Sequence, residues 1–281
     1  MGVLESAEAS KPPEKYQHMP TERRMAVLKS AHAKEIPFEK RIDLATRAFL
    51  HTPYVLSPLG EARGQDPDPR FRIDAFDCTT FVETAVALAY ASDWSKAADI
   101  LDQIRYKPQG KRFEDRLHFI TADWLPQLQS QGYLEDITAD LGKDKTTTIK
   151  FKVTPKSWKK RRIAKSLVLP KEHVPLGTHE LPIIPIAAFK KSNIEIPSGT
   201  LINVVRIPVR SAPIVVTHQG IYLKTKKGAK VRHASPVAKR VIDEPFSNMI
   251  RRYQKPRKWP IAGFNFQRII EPQPGVPQAP N

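Results

Sequence analysis

The chain has 281 residues, 40% of them hydrophobic and 27% charged, the composition of a folded protein with a substantial core rather than of a disordered one. Its single cysteine excludes an intrachain disulfide, and no run of about 18 apolar residues offers a membrane span. The net charge of +17 predicts attraction to polyanions, whether nucleic acid, acidic membrane surface or anionic cell-wall polymer, without choosing among them.

Residues 1–20 are polar and carry prolines, and Met1 to Ser6 lack the basic-then-apolar order of an export signal. This segment reads as flexible, as does the proline-rich tail at 271–281. Between them, 21–270 read as one domain. Thr21 is placed to cap a first helix through Met25, Leu28 and Ala31, and a second is predicted from Phe38 to Leu50, with Ile42, Ala45 and Phe49 on one stripe. A Gly-, Pro- and Asp-rich loop from Pro58 to Asp74 then leads to a buried helix from Cys78 to Ala91, patterned by Phe81, Val82, Ala85, Val86 and Ala89. Two further helices are predicted at Trp94–Ile104 and Glu114–Ser130, the latter kinked at Pro126.

After Gly142 the period changes from helical to alternating. Strands are predicted at Ile149–Val153, Thr200–Ile207, Ile214–Leu223, Lys230–Ala234 and Phe264–Ile270. Helices first and strands afterwards give an α+β domain, with helices on one side of an antiparallel sheet.

Cys78 lies in Asp77-Cys78-Thr79-Thr80 at a helix start, where the partial positive charge of the helix end favours thiolate over thiol. Thiol-based acyl transfer also needs a base and a group that fixes the base in one tautomer. His218 and His233 supply these if Lys224 to Lys227 form a four-residue hairpin loop, because Leu223 then faces Gly228 and His218 falls opposite His233. One cysteine and two histidines with no fourth ligand make an incomplete zinc shell, so neither a metal nor any other cofactor is expected.

Several stretches in order resemble the N-acetylmuramoyl-L-alanine-amidase-like family within the NlpC-type branch of papain-like cysteine hydrolases. They are Thr52-Pro53-Tyr54 with Leu59-Gly60-Glu61, the Asp77–Thr84 motif, Arg116-Leu117-His118-Phe119 with Asp123-Trp124, Pro197–Leu201, Thr217–Tyr222 and Arg232–Ser235. The resemblance spans roughly 40–240, and Thr79-Thr80 stand where the commoner NlpC pattern has Ser-Gly. It implies a papain-like fold with the nucleophile helix packed on the sheet, Cys78 as nucleophile, His218 as base and then acid, and His233 as the orienting residue. Tyr54 either lines the scissile bond or packs its loop, Asp77 caps the helix or meets substrate, and Thr79, Arg116 and His118 are substrate-side candidates.

The implied substrate is peptidoglycan. The amide cut lies between the muramic acid lactyl group and L-alanine, or alternatively between D-glutamate and the diamino acid of the stem. The implied location is the cell envelope, periplasmic or secreted.

A long insert at about 143–198 has no counterpart in the resemblance. From Lys145 to Lys171 it holds ten Lys or Arg and no acidic residue. It reads as a solvated basic face or as a contact for substrate carboxylates or phosphates, with Trp158 available to stack on a sugar or base. A basic nucleic-acid-binding protein with a structural Cys78 is the reading from another class, and it leaves the Cys and His arrangement unexplained.

Overall fold

In a computed structural model, residues 26, 28–30, 32, 34, 36–91, 93–108, 110–159, 167–190, 194–209, 214–255 and 258–271 are described. Leu28 to Ser30 are helical, whereas Thr21, Met25 and Ala31 of the predicted first helix lie outside the described residues, as do 1–20 and 272–281. The helices are α1 (Phe38–Arg47), α2 (Cys78–Tyr90), α3 (Trp94–Arg105), α4 (Leu125–Ser130), α5 (Thr138–Gly142), α6 (Pro155–Lys159) and α7 (Phe246–Gln254). The strands are β1 (Leu134–Asp136), β2 (Thr147–Val153), β3 (Gly177–Pro185), β4 (Thr200–Arg206), β5 (Val216–Thr225), β6 (Gly228–Ser235), β7 (Arg240–Pro245) and β8 (Ile261–Ile269).

The strands form one antiparallel sheet in the order β2-β3-β8-β4-β5-β6-β7, with β1 also pairing β8. The basic segment at 143–198 thus adds β2 and β3 to one end of the main sheet. Trp158 is buried with its ring 5.7 Å from that of Phe119, so it anchors this segment to the domain rather than offering a stacking face. Lys160, Arg161 and Arg162 lie outside the described residues.

Apolar side chains cover both sheet faces. On one, α2 packs with Phe81, Val82 and Val86 against a core that includes Leu201, Ile221, Leu223 and Ala234. α2 is apolar around nearly its whole circumference, as a helix wrapped by neighbours must be. On the other face, Phe246, Met249 and Tyr253 of α7 join Ile202, Val204, Tyr222, Val231 and Phe264. Helices therefore occupy both sides of the sheet, a correction to the one-sided arrangement expected from the sequence. The Phe246–Gln254 segment is short and carries Arg251 and Arg252, so its apolar stripe is brief in the sequence.

The helix expected from Glu114 is also revised. Phe113–Asp115 make a single tight turn, Arg116 and Leu117 run extended, and a wide turn at Ile120–Trp124 feeds α4. Pro126 sits in the first turn of α4, where its missing N–H costs no helical hydrogen bond.

Arg232, 1% exposed, ties the sheet to α1. Its guanidinium donates to Asp243 on β7 at 2.7 Å, and to the Asp43 carboxylate at 2.8 Å and the Thr46 hydroxyl at 2.9 Å on α1.

Candidate active site

Asp77 sets the start of α2. Its Oδ1 accepts from the Thr80 N–H at 2.8 Å, and the Thr80 hydroxyl accepts from the Asp77 N–H at 3.0 Å, a reciprocal cap that fixes the first turn. Its Oδ2 accepts from the Ser57 N–H at 3.0 Å, so the same carboxylate pins the incoming loop. Asp77 is a cap and a loop anchor, the first of its two readings.

Cys78 follows as the first residue of α2 and is partly exposed. Burial and the neighbouring Asp77 charge push its thiol up to about 12, against smaller stabilising bonds from the Gln219 backbone and from the Thr79 side chain and backbone. Helix-end charge alone does not make a resting thiolate here, because desolvation outweighs it. Tyr54 lies beside the thiol on a segment bridged to Phe76, and burial followed by the charges of Cys78 and Asp77 raises its hydroxyl to about 12.

The two histidines meet by a different register from the one expected. The β5–β6 turn has only Lys226 and Lys227 at its tip, with Thr225 paired to Gly228, so Leu223 faces Lys230. The Thr225 hydroxyl closes this tighter turn, donating to the Gly228 carbonyl at 2.7 Å and accepting from the Lys227 N–H at 3.1 Å, and Gly228 supplies a φ of +108°. The displacement of two residues preserves side-chain faces, since strand period is two.

The β5–β6 ladder ends at Ile221↔Arg232. Its continuation sets His233 across from Gly220, and His218 reaches diagonally, Nε2 to His233 Nδ1 at 2.6 Å. Both imidazoles are buried, with rings nearly perpendicular.

Gly220 is what allows the diagonal. A Cβ there would stand 2.9 Å from the His233 Cβ and 2.7 Å from Val231 Cγ1. Gly220→Ala is expected to cost about 1–3 kcal/mol of stability and to part the imidazoles, read as a lowered melting temperature together with shifted histidine nitrogen resonances.

A bulge fixes His218 from the other side. Val204 pairs His218 but Val205 pairs Val216, leaving Thr217 as the extra residue. Val216 consequently packs in the α2 core while His218 alternates toward the α7 side. Gln219, the residue after His218 on β5, bonds the Cys78 sulfur through its backbone, which sets the thiol at the stretch of strand that carries His218.

Arg116 and His118 are occupied elsewhere. Arg116 donates to Glu61 at 2.6 Å and to Asp66 at 2.9 Å, clamping the loop before Cys78. Glu61 also accepts from the Tyr106 hydroxyl at 2.8 Å. His118 Nε2 bonds the Phe113 carbonyl at 2.7 Å, and burial lowers it to about 4, so it is neutral at pH 7.

Two groups escaped the sequence reading. Glu83, on α2, accepts from Trp124 Nε1 at 3.0 Å and pairs with Arg105 at 3.4 Å, bracing the helix from beneath. Glu244 on β7 stands 3.2 Å from His233 Nε2 and is gripped by Arg252 of α7. A Pro-Phe sequence after an acidic pair, Asp243-Glu244, was the available signal that a strand ends and a helix begins there. Among the described residues, no cluster of three or more His, Cys, Asp or Glu could hold a metal ion.

A family model described as N-acetylmuramoyl-L-alanine amidase-like matches residues 44–256, which takes in Cys78, both imidazoles and Glu244. The chain belongs to the N-acetylmuramoyl-L-alanine amidase-like family. Among solved structures, this amidase-like chain is similar to a DUF1460-family protein from Legionella pneumophila, with 24% identity over 92% of this chain and 97% of that one, at a TM-score of 0.75. It is also similar to an N-acetylmuramoyl-L-alanine amidase from Bacteroides uniformis, with 24% identity, 83% and 99% coverage and a TM-score of 0.64. A third similar structure, a putative xylanase from Bacteroides fragilis, has 27% identity, 80% and 99% coverage and a TM-score of 0.63. No curated protein matches the chain. No helix among the described residues is long and apolar enough to cross a membrane.

Proposed function

We propose that this protein is a cysteine amidase of the cell envelope, of the NlpC-type papain-like kind, that cleaves peptidoglycan between the muramic acid lactyl group and L-alanine. The observation that carries the reading is the chain's one cysteine at a capped helix start, bonded to the backbone next to a histidine that is itself paired to a second histidine. Family membership supports the peptidoglycan class of substrate.

Because the thiol rests protonated, attack is general-base assisted rather than performed by a standing thiolate. As the sulfur bonds to the lactyl carbonyl carbon, its proton passes to His218 Nδ1, the nitrogen not engaged with His233. The carbonyl π pair moves to oxygen, and the Cys78 N–H at the helix start is a donor for that charge. Collapse breaks the C–N bond, His218 returns the proton to the L-alanine nitrogen, and water then hydrolyses the thioester to a lactyl carboxylate and free thiol. Tyr54 stands beside the sulfur, Thr79 steadies it, and Arg116 holds the loop before Cys78, while His118 stays bonded to the Phe113 carbonyl of its own turn.

Mass analysis of muropeptides after incubation tests this. The expected products are free L-alanine amino termini and sugar without peptide. A dipeptide left on the sugar would reassign the cut to the D-glutamyl bond, and intact material would remove the proposal.

A further inference from the structure

His218 Nε2 and His233 Nδ1 stand 2.6 Å apart with one proton between them, and either ring could donate it. If His233 Nδ1 carried it, His218 would have to protonate its own Nδ1, and no lone pair would remain for the thiol. The third group decides the matter. Glu244 Oε2 lies 3.2 Å from His233 Nε2, and an ionised carboxylate only accepts.

We infer that Glu244 is a positioning residue of this site, holding the His233 proton on Nε2 so that His233 Nδ1 accepts from His218 Nε2–H and His218 Nδ1 is left free as the base. The inference rests on the amidase reading of the preceding section. Glu244 remains ionised throughout, and no second proton moves.

Three features support it. Glu244 faces the same side of the sheet as the imidazoles, since it pairs Val231 while His233 pairs Ile242 on the same two strands. Arg252 holds it by two bonds, 3.0 Å to Oε1 and 2.7 Å to Oε2, which fixes its plane. Burial pushes its carboxyl up, but the proximity of His233 and the two bonds from Arg252 prevail and hold it at about 2. The N–H of His233 is not aimed squarely at the oxygen, so the carboxylate acts on the ring chiefly through its charge. The charged and titratable groups around it are His218 on β5, His233 on β6, and Arg252 and Tyr253 on α7.

The test combines hydrolysis with histidine nitrogen resonances of the intact protein. In Glu244→Gln, kcat is expected to fall about ten- to a hundredfold with KM within about twofold. Because the lost charge favoured imidazolium, the acid limb of kcat/KM should move to lower pH, a change that loss of a merely structural contact would not produce. Wild-type His233 should carry its proton on Nε2, a measurement that needs no variant to fold. Unchanged kcat and acid limb in a folded Glu244→Gln, or a His233 proton on Nδ1, would overturn the inference while leaving Cys78 as nucleophile. Should Cys78→Ala hydrolyse as fast as wild type, the amidase mechanism itself fails. The His233 tautomer then decides the Glu244 contact alone, Nε2 for it and Nδ1 against.

Discussion

Cys78→Ala should slow peptidoglycan amide hydrolysis on the order of 10⁵-fold or more while leaving the melting temperature within a few degrees of wild type. The side chain removed is small, partly exposed and outside the apolar core, so little packing goes with it. The helix start keeps its cap, because Asp77 and Thr80 bond each other without the sulfur. What is lost is the only thiol in the chain, and with it the proposed covalent route. His218→Ala should cost a similar factor, and the double variant little more than either, since the proposed nucleophile and base would act as one unit. Muropeptide release followed by chromatography, beside a thermal melt, measures both quantities. Near-wild-type turnover in the alanine variant would remove the sulfur from the mechanism.

Arg232→Met is expected to have the largest effect on stability, about 3 kcal/mol or somewhat more in chemical denaturation. Arg232 is buried and serves two carboxylates at once, Asp43 on α1 and Asp243 on β7. Methionine fills much of the stem volume but leaves both acids facing an apolar group. Each carboxylate retains a second cation, Arg47 for Asp43 and Lys230 for Asp243, which keeps the cost near the lower end of that range.

The variant should also respond differently to acid. Burial raises the Asp243 carboxyl, but bonds from Arg232 and Lys230 prevail and hold it below its usual range. With the folded value below the unfolded one, its contribution is whole above about pH 4 and fades as pH falls. Unfolding free energies measured across that interval should show a shallower loss in Arg232→Met than in wild type.

The sequence made the helical half legible where apolar spacing was sustained. Phe81, Val82, Ala85, Val86 and Ala89 announce α2, and Asp77 with Thr80 announces its cap. The central strands β4, β5, β6 and β8 were visible as β-branched and aromatic runs. β3 was hidden by two prolines and a histidine in its span, and β7 by its charged residues, Arg240, Asp243 and Glu244. Both are strands made by pairing rather than by local preference.

The histidine pair was found through an incorrect register that shared the right parity. Distinguishing a four-residue turn from a two-residue one depended on the Thr225 hydroxyl, which composition does not reveal. Glu244 was out of reach for the same reason, since its partner depends on how β7 aligns with β6.

The burial that raises the Cys78 thiol has a bearing on durability. Peroxide and other oxidants attack sulfur mainly as its anion, the form that burial disfavours at Cys78. A buried thiol held as the neutral form therefore presents a poor target for irreversible oxidation, so the desolvation that would slow Cys78 as a nucleophile would also preserve it between turnovers.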